Sequence, residues 1–194
     1  MAKILIDMQA CQTESRQRGI GRYAMALVQA MAAQAREDEI HLLLNSAFAE
    51  TILPLRQIFS SLVRPEHIHV MDVLTPNEDR VATNRWRNNA SALLREAFID
   101  MIAPDIVFCP SFFEGYIDDA VLSINRLSTI PVVATLHDLI PLIYKDDYLN
   151  PNPDFSRHYL DKIEEFKQCA GILTISEASA AEGHSHLGLE PQHI

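Results

Sequence analysis

With 194 residues, 48% of them apolar and 22% charged, the chain has the make-up of one soluble globular domain that buries roughly 70% of its unfolded surface. A formal charge of −10 opposes a nucleic-acid footprint, which requires clustered Lys and Arg. Cys11, Cys109 and Cys169 form neither a CxxC pair nor a metal-ligand pattern, so reduced intracellular thiols are expected.

Residues 3–8, Lys-Ile-Leu-Ile-Asp-Met, read as a first buried strand. Interrupted by Asp7, this run is too short for a signal peptide, and no run reaches the roughly 18 apolar residues of a membrane span. A cytoplasmic location is the expectation. A polar loop over 9–18 leads to Gly19-Ile20-Gly21-Arg22-Tyr23, after which Tyr23, Leu27, Val28 and Met31 recur at helical spacing to about Arg36. The glycines therefore fall on a strand-to-helix turn, where glycine permits positive φ and close approach of a ligand to the backbone. Free amides at the helix start suit an anion or a sugar hydroxyl. Position 24 is Ala24, so the full GxGxxG of a nicotinamide site is missing.

A second strand covers 39–45, a helix 49–61 with Pro54 inside it, and a third strand 68–72. Residues 75–79, Thr-Pro-Asn-Glu-Asp, are turn chemistry. The stretch 84–102 reads as a long amphipathic helix carrying Trp86, Leu93, Leu94, Phe98 and Met101, and a fourth strand over 105–109 stops at Pro110. The loop that follows is aromatic: Ser111-Phe112-Phe113-Glu114-Gly115-Tyr116. A fifth strand over 131–135 delivers Leu136-His137-Asp138-Leu139-Ile140-Pro141, with His137 and Asp138 at the carboxyl end where open α/β sheets collect ligands. A Pro- and Asp-rich excursion over 141–154, a helix over 155–169 and a last strand over 171–175 lead to Ser176, a good N-cap. Ile194 reads as the first residue of a further strand. Strands alternating with helices predict a Rossmann-like α/β fold, a mostly parallel sheet with helices on both faces. No internal repeat or low-complexity tract interrupts it.

Three motifs in order, Gly19-Ile20-Gly21-Arg22-Tyr23, Val133-Ala134-Thr135-Leu136-His137-Asp138-Leu139-Ile140-Pro141 and Leu173-Thr174-Ile175-Ser176-Glu177-Ala178-Ser179, resemble family-four retaining glycosyltransferases. These are GT-B enzymes, in which two Rossmann-like domains face each other across a cleft. The resemblance covers the whole chain but only the N-terminal domain of such an enzyme. It implies that Gly19, Ile20, Gly21 and Arg22 lie near the donor diphosphate and sugar. His137 would contact the transferred sugar with Asp138 beside it, and Ser176 and Glu177 would sit at the cleft. The acceptor would be held by this domain and the nucleotide by a C-terminal domain with a Glu-x7-Glu motif. The C-terminal half, with that motif and the diphosphate-binding basic residues, is absent here, so the chain is expected to be a fragment, inactive alone.

Around these motifs the residues leave alternatives open. Arg16, Arg18 and Arg22 are solvated charges or an acceptor- or phosphate-binding rim. Phe112, Phe113 and Tyr116 stack on a sugar or lipid acceptor, or pack in a core. Glu114 is a candidate partner for an acceptor hydroxyl. His184, His186 and His193 have the wrong context for a metal site, and Glu164 and Glu165 read as a solvated helix face. No metal or cofactor is expected, the nucleotide-sugar being a substrate. The resemblance implies transfer of a hexose, mannose as the specific guess, in bacterial polysaccharide or lipopolysaccharide assembly. A lipid-linked acceptor would bring contact with the inner face of the cell membrane, and apolar surface left by a missing partner domain would favour a homodimer. The competing reading is a non-catalytic Rossmann-like binding or assembly module.

Overall fold

The computed structural model describes residues 1–190; the strand expected to begin at Ile194 lies outside the described residues. Six strands, β1 (Lys3–Asp7), β2 (Glu39–Asn45), β3 (Ile68–Met71), β4 (Ile106–Cys109), β5 (Val132–Leu136) and β6 (Gly171–Thr174), form one sheet. Their order is β3-β2-β1-β4-β5-β6 and every neighbouring pair is parallel. β1 is central, with Ile4 opposite both Ile40 of β2 and Ile106 of β4.

Strands covered on both faces need apolar residues at successive positions, and the side chains alternate between two cores. Ile6, Ile40, Leu42, Leu44 and Phe108 pack under α1 (Gly19–Gln34) and α2 (Ala49–Ile58), against Ala24, Val28, Leu55 and Phe59. Leu5, Leu43, Val107, Ala134 and Leu136 face the other way. They meet Ile99 of α3 (Arg85–Ile102), then Tyr159, Ile163 and Phe166 of α6 (Pro153–Phe166) and Leu187 of α7 (Glu177–Leu187). The Pro- and Asp-rich excursion is two single helical turns, α4 (Ile140–Ile143) and α5 (Lys145–Tyr148). The helix ends carry local chemistry. Asn152 accepts from the Phe155 amide at the start of α6, with Pro153 first in the helix. The α3 chain leaves the helix through Ala103, at φ 51°, just before Pro104.

Three expectations are corrected. α1 begins at Gly19 rather than Tyr23, so the glycines form its first turn and neither has positive φ. α3 buries only part of its expected apolar stripe: Phe98 packs against the core. Trp86 (61%), Leu93 (45%), Leu94 (50%) and Met101 (84%) are exposed, whereas Arg95 (1%) and Glu96 (2%) are enclosed. The reason is polar pairing. Arg95 Nη2 meets Asp7 Oδ2 at 2.8 Å at the end of β1, and Glu96 accepts the amides of Leu127 and Ser128. Glu165 is likewise drawn in by Arg126 and Lys162, while Glu164 is solvated.

Candidate functional site at the carboxyl edge of the sheet

Strand order reverses between β1 and β4, so the loops after their carboxyl ends diverge and leave a crevice. Its floor is a buried polar network. Arg95 pairs with Asp7 and donates to the Ser123 carbonyl. Gln9 donates to Asp7 and to the Val121 carbonyl, and its Oε1 accepts from Val121 and Asn45. Gln12 ties in Asn45 and Thr51. These bonds hold the segment after β4 over the strand ends.

The loop after β1 makes two 3-10 turns, Gln9–Cys11 and Glu14–Gln17, and α1 starts directly on it. A Cβ on Gly21 would lie 2.4 Å from Arg16 Cα and 2.4 Å from the Ser15 oxygen. Glycine is therefore required here because the chain's own backbone passes so close. Gly19 is open, with nothing within 4 Å of an added Cβ. Arg18 supplies no side-chain cap and the first turn of α1 holds no acid, so the start of the helix is uncapped by any side chain, with Gly19 exposed and Gly21 buried. Arg18 and Arg22 flank them, exposed. Arg16 is engaged instead by the Gln12 carbonyl and Glu50.

His137 stands half-buried just past β5. Its Nε2 lies 2.9 Å from the Pro110 carbonyl, which fixes Nε2–H as the donor and leaves Nδ1 as an acceptor. Tyr23 of α1 meets the imidazole edge-on, centroids 5.4 Å apart at 85°. The backbone carbonyl of His137 accepts from Ser179 Oγ at 2.7 Å, and Ser176 Oγ accepts the Ser179 amide at the start of α7. The three motifs of the sequence thus meet through Tyr23, His137 and Ser179. Ser176 and Glu177 are exposed beside them. Asp138, also exposed, caps the amide of Ile140, and Glu182 caps that of Leu139.

The aromatic loop divides. Phe112 is fully buried against Phe166 and Phe113 packs on Tyr159, centroids 5.3 Å apart. A fully enclosed ring has no face for a sugar, so Phe112 leaves the acceptor set and joins the core. Tyr116 stays half-exposed, bonded to Asn152 Oδ1 and set against Phe155 and His158. Glu114 is committed within the protein: Oε2 accepts from Thr13 and Ser15, Oε1 from Ser111. It clasps the loop after β1 to the loop after β4.

Sequence reasoning missed Asp7, Gln9, Gln12, Asn45, Arg95 and Asp118. An acid closing an apolar strand, as Asp7 does, is the signal that could have found the first of these. Asp118 sits among Glu114 and Asp119, and burial, with those carboxylates adding to it, pushes it up to about 6 against the Ala120 amide that it accepts. Cys11 is pushed up to about 12 by burial and Cys109 likewise; all three cysteines are free thiols.

Comparison with known proteins decides the family. Residues 17–194 match the family model described as Glycosyltransferase Family 4. The chain belongs to that family. Its six-stranded parallel sheet is the N-terminal domain of the GT-B architecture. The chain is 36% identical over 182 residues to a serotype-specific mannosyltransferase, WbdA, of Escherichia coli, covering 92% of this chain and 21% of that protein. A second Escherichia coli protein of the same name is 33% identical over 156 residues, 79% of this chain and 19% of that one. The chain thus spans about a fifth of the length of the curated relatives it matches. No helix among the described residues is long and apolar enough to cross a membrane.

Proposed function

We propose that this chain is the acceptor-side domain of a retaining hexosyltransferase that transfers mannose from a nucleoside-diphosphate sugar to a growing bacterial surface glycan. The observation that carries the reading is the convergence of Tyr23, His137 and Ser179, one residue from each family motif, at the carboxyl edge of the sheet. Likeness to mannosyltransferases supports the choice of sugar.

In the transfer, the bond between sugar C1 and the diphosphate oxygen breaks with both electrons leaving on oxygen. The acceptor hydroxyl forms the new C1–O bond and releases its proton to the departing diphosphate oxygen. The transition state is positive at the ring and negative at the departing diphosphate. The uncapped start of α1 at Gly19, with the exposed Arg18 and Arg22 beside it, suits that departing charge. Nδ1 of His137 accepts a hydrogen bond from a hydroxyl of the sugar and orients the ring. Ser176 and Glu177 line the donor side, and Tyr116 and Arg18 the acceptor side. Glu114 shapes both loops from behind. A second Rossmann-like domain of the same polypeptide supplies the nucleotide site and the remaining basic groups, so no metal or further cofactor enters the scheme. A lipid-linked acceptor would place the enzyme at the cytoplasmic face of the membrane.

The test is turnover by the full polypeptide that carries this chain, given nucleoside-diphosphate mannose and, as control, the glucose analogue. Mannose transfer that falls about 10- to 100-fold in His137→Ala is the expected result. Transfer of glucose alone would remove the sugar assignment. No hydrolysis or transfer with any nucleotide-sugar would leave a binding module.

A further inference from the structure

We infer that Glu39, His41 and His67 form a binding site for a divalent transition-metal ion of the zinc class, at the end of the sheet opposite the transfer site. Glu39 and His41 are first and third in β2, so their side chains share one face. The β2–β3 register, Leu42 opposite Ile68 and Leu43 opposite His69, brings His41 beside His67 at the end of the short turn before β3. The ligand atoms of Glu39, His41 and His67 lie within 4.8 Å of one another.

His41 is the anchor. It is 6% exposed, and its Nε2 is buried with no hydrogen-bond partner. Its Nδ1 is 2.9 Å from His69 Nε2. With Nδ1–H donated to His69, Nε2 keeps its lone pair and the ring is held, the arrangement by which an outer partner orients a ligating histidine. Glu39 Oε2 lies 3.7 Å from that Nε2. Ligand atoms around a tetrahedral zinc stand about 3.3 Å apart, so these two need close only slightly. Arg64 occupies the other carboxylate oxygen, Oε1, at 2.9 Å, which leaves Oε2 to the ion. The His67 ring stacks on His41, centroids 3.8 Å apart at 15°. Its lone pairs therefore run parallel to those of His41, and one ion takes both rings after His67 turns about its Cβ–Cγ bond. A cavity of about 160 Å³ lined by Asp38, Glu39, Arg64 and His67 opens beside two of the three ligands. Two imidazoles and a carboxylate suit zinc, with water in the fourth position.

The experiment is calorimetric titration of the chelator-stripped full polypeptide with Zn²⁺, repeated with Co²⁺ and read by visible absorption. Expected are one saturable equivalent, a tetrahedral Co²⁺ spectrum, and loss of that equivalent in His67→Ala and in Glu39→Gln. His69→Phe should weaken affinity about 10- to 100-fold. His67 and Glu39 are not fully buried, so these variants answer the question even where His41→Phe fails to fold. An absence of saturable binding, or an unchanged titration in both His67→Ala and Glu39→Gln, would overturn the site.

Discussion

Ser179 Oγ donates to the carbonyl oxygen of His137 at 2.7 Å, so the first turn of α7 fixes the backbone on which the imidazole is mounted. With Pro110 holding Nε2 and Tyr23 closing the ring from α1, three elements distant in sequence set one side chain. Replacing His137 by Ala in the full enzyme should lower kcat/KM about 10- to 100-fold, the worth of one hydrogen bond to a polar transition state. Ser179→Ala should produce a smaller loss, with both variants melting close to the parent. Steady-state kinetics beside thermal melts distinguishes a site defect from unfolding.

The two glycines of α1 should behave in opposite ways. Gly21→Ala forces a methyl onto the backbone of Ser15 and Arg16 and should destabilise by about 1–3 kcal/mol, the range of overpacking. Gly19→Ala meets nothing and should be neutral or stabilise by about 0.4–1 kcal/mol through the unfolded chain. Urea denaturation of the pair decides it. Equal effects would show that close packing of α1 on the loop is not what selects glycine at 21.

The Asp7–Arg95 pair is enclosed, each side chain 1% exposed. Removing one partner, as in Arg95→Met, leaves a buried carboxylate with Gln9 but no counter-charge and should cost about 3–5 kcal/mol. Replacing both, Asp7→Leu with Arg95→Met, should recover much of that loss. A double-mutant cycle measures the coupling. Its absence would mean that Gln9 and Ser123, not the ion pair, hold the crevice floor.

Acid should loosen the contact between α6 and residues 77–80. Burial raises the Asp79 carboxyl, but hydrogen bonds from His158 and Arg157 outweigh it and bring the group from 3.8 to about 2. A carboxylate with a depressed folded value stabilises above its unfolded value and loses that contribution as pH falls from about 4 to about 2. Burial also lowers His158, from 6.5, despite Asp79. Its neutral form is the one that fits, so a first loss of stability begins below about 6.5 as the unfolded chain takes up the proton. Melting temperature against pH should therefore fall in two stages, with the acid stage missing in Asp79→Asn.

The architecture was legible because buried parallel strands write themselves as apolar runs: β2 falls at 39–45 as read, and Ser176 caps α7 as expected. What escaped depends on partners far along the chain. Nothing local to Arg95 and Glu96 announces Asp7 or the amides at 127 and 128, so the apolar stripe of α3 suggested only part of the buried face. Phe112 and Tyr116 are near neighbours in one loop, and only the position of α6 sends one inward and leaves the other half-exposed. His41, His67 and His69 have no motif spacing, since the β2–β3 register rather than sequence brings them together.

The central place of β1 also sets how far apart in sequence its two partners lie. Its pairing with β2 joins residues about 36 apart, as in Lys3 with Glu39, whereas Ile4 waits for Ile106 on its other side. On the ribosome, the strands up to Met71 can close as a half-sheet while one edge of β1 stays bare. Such late, non-local closure is slow and leaves an open edge prone to self-association. Arg95, in the helix between β3 and β4, pairs with Asp7 across a separation of 88 residues, so the ion pair ties the second half of the sheet to the end of β1.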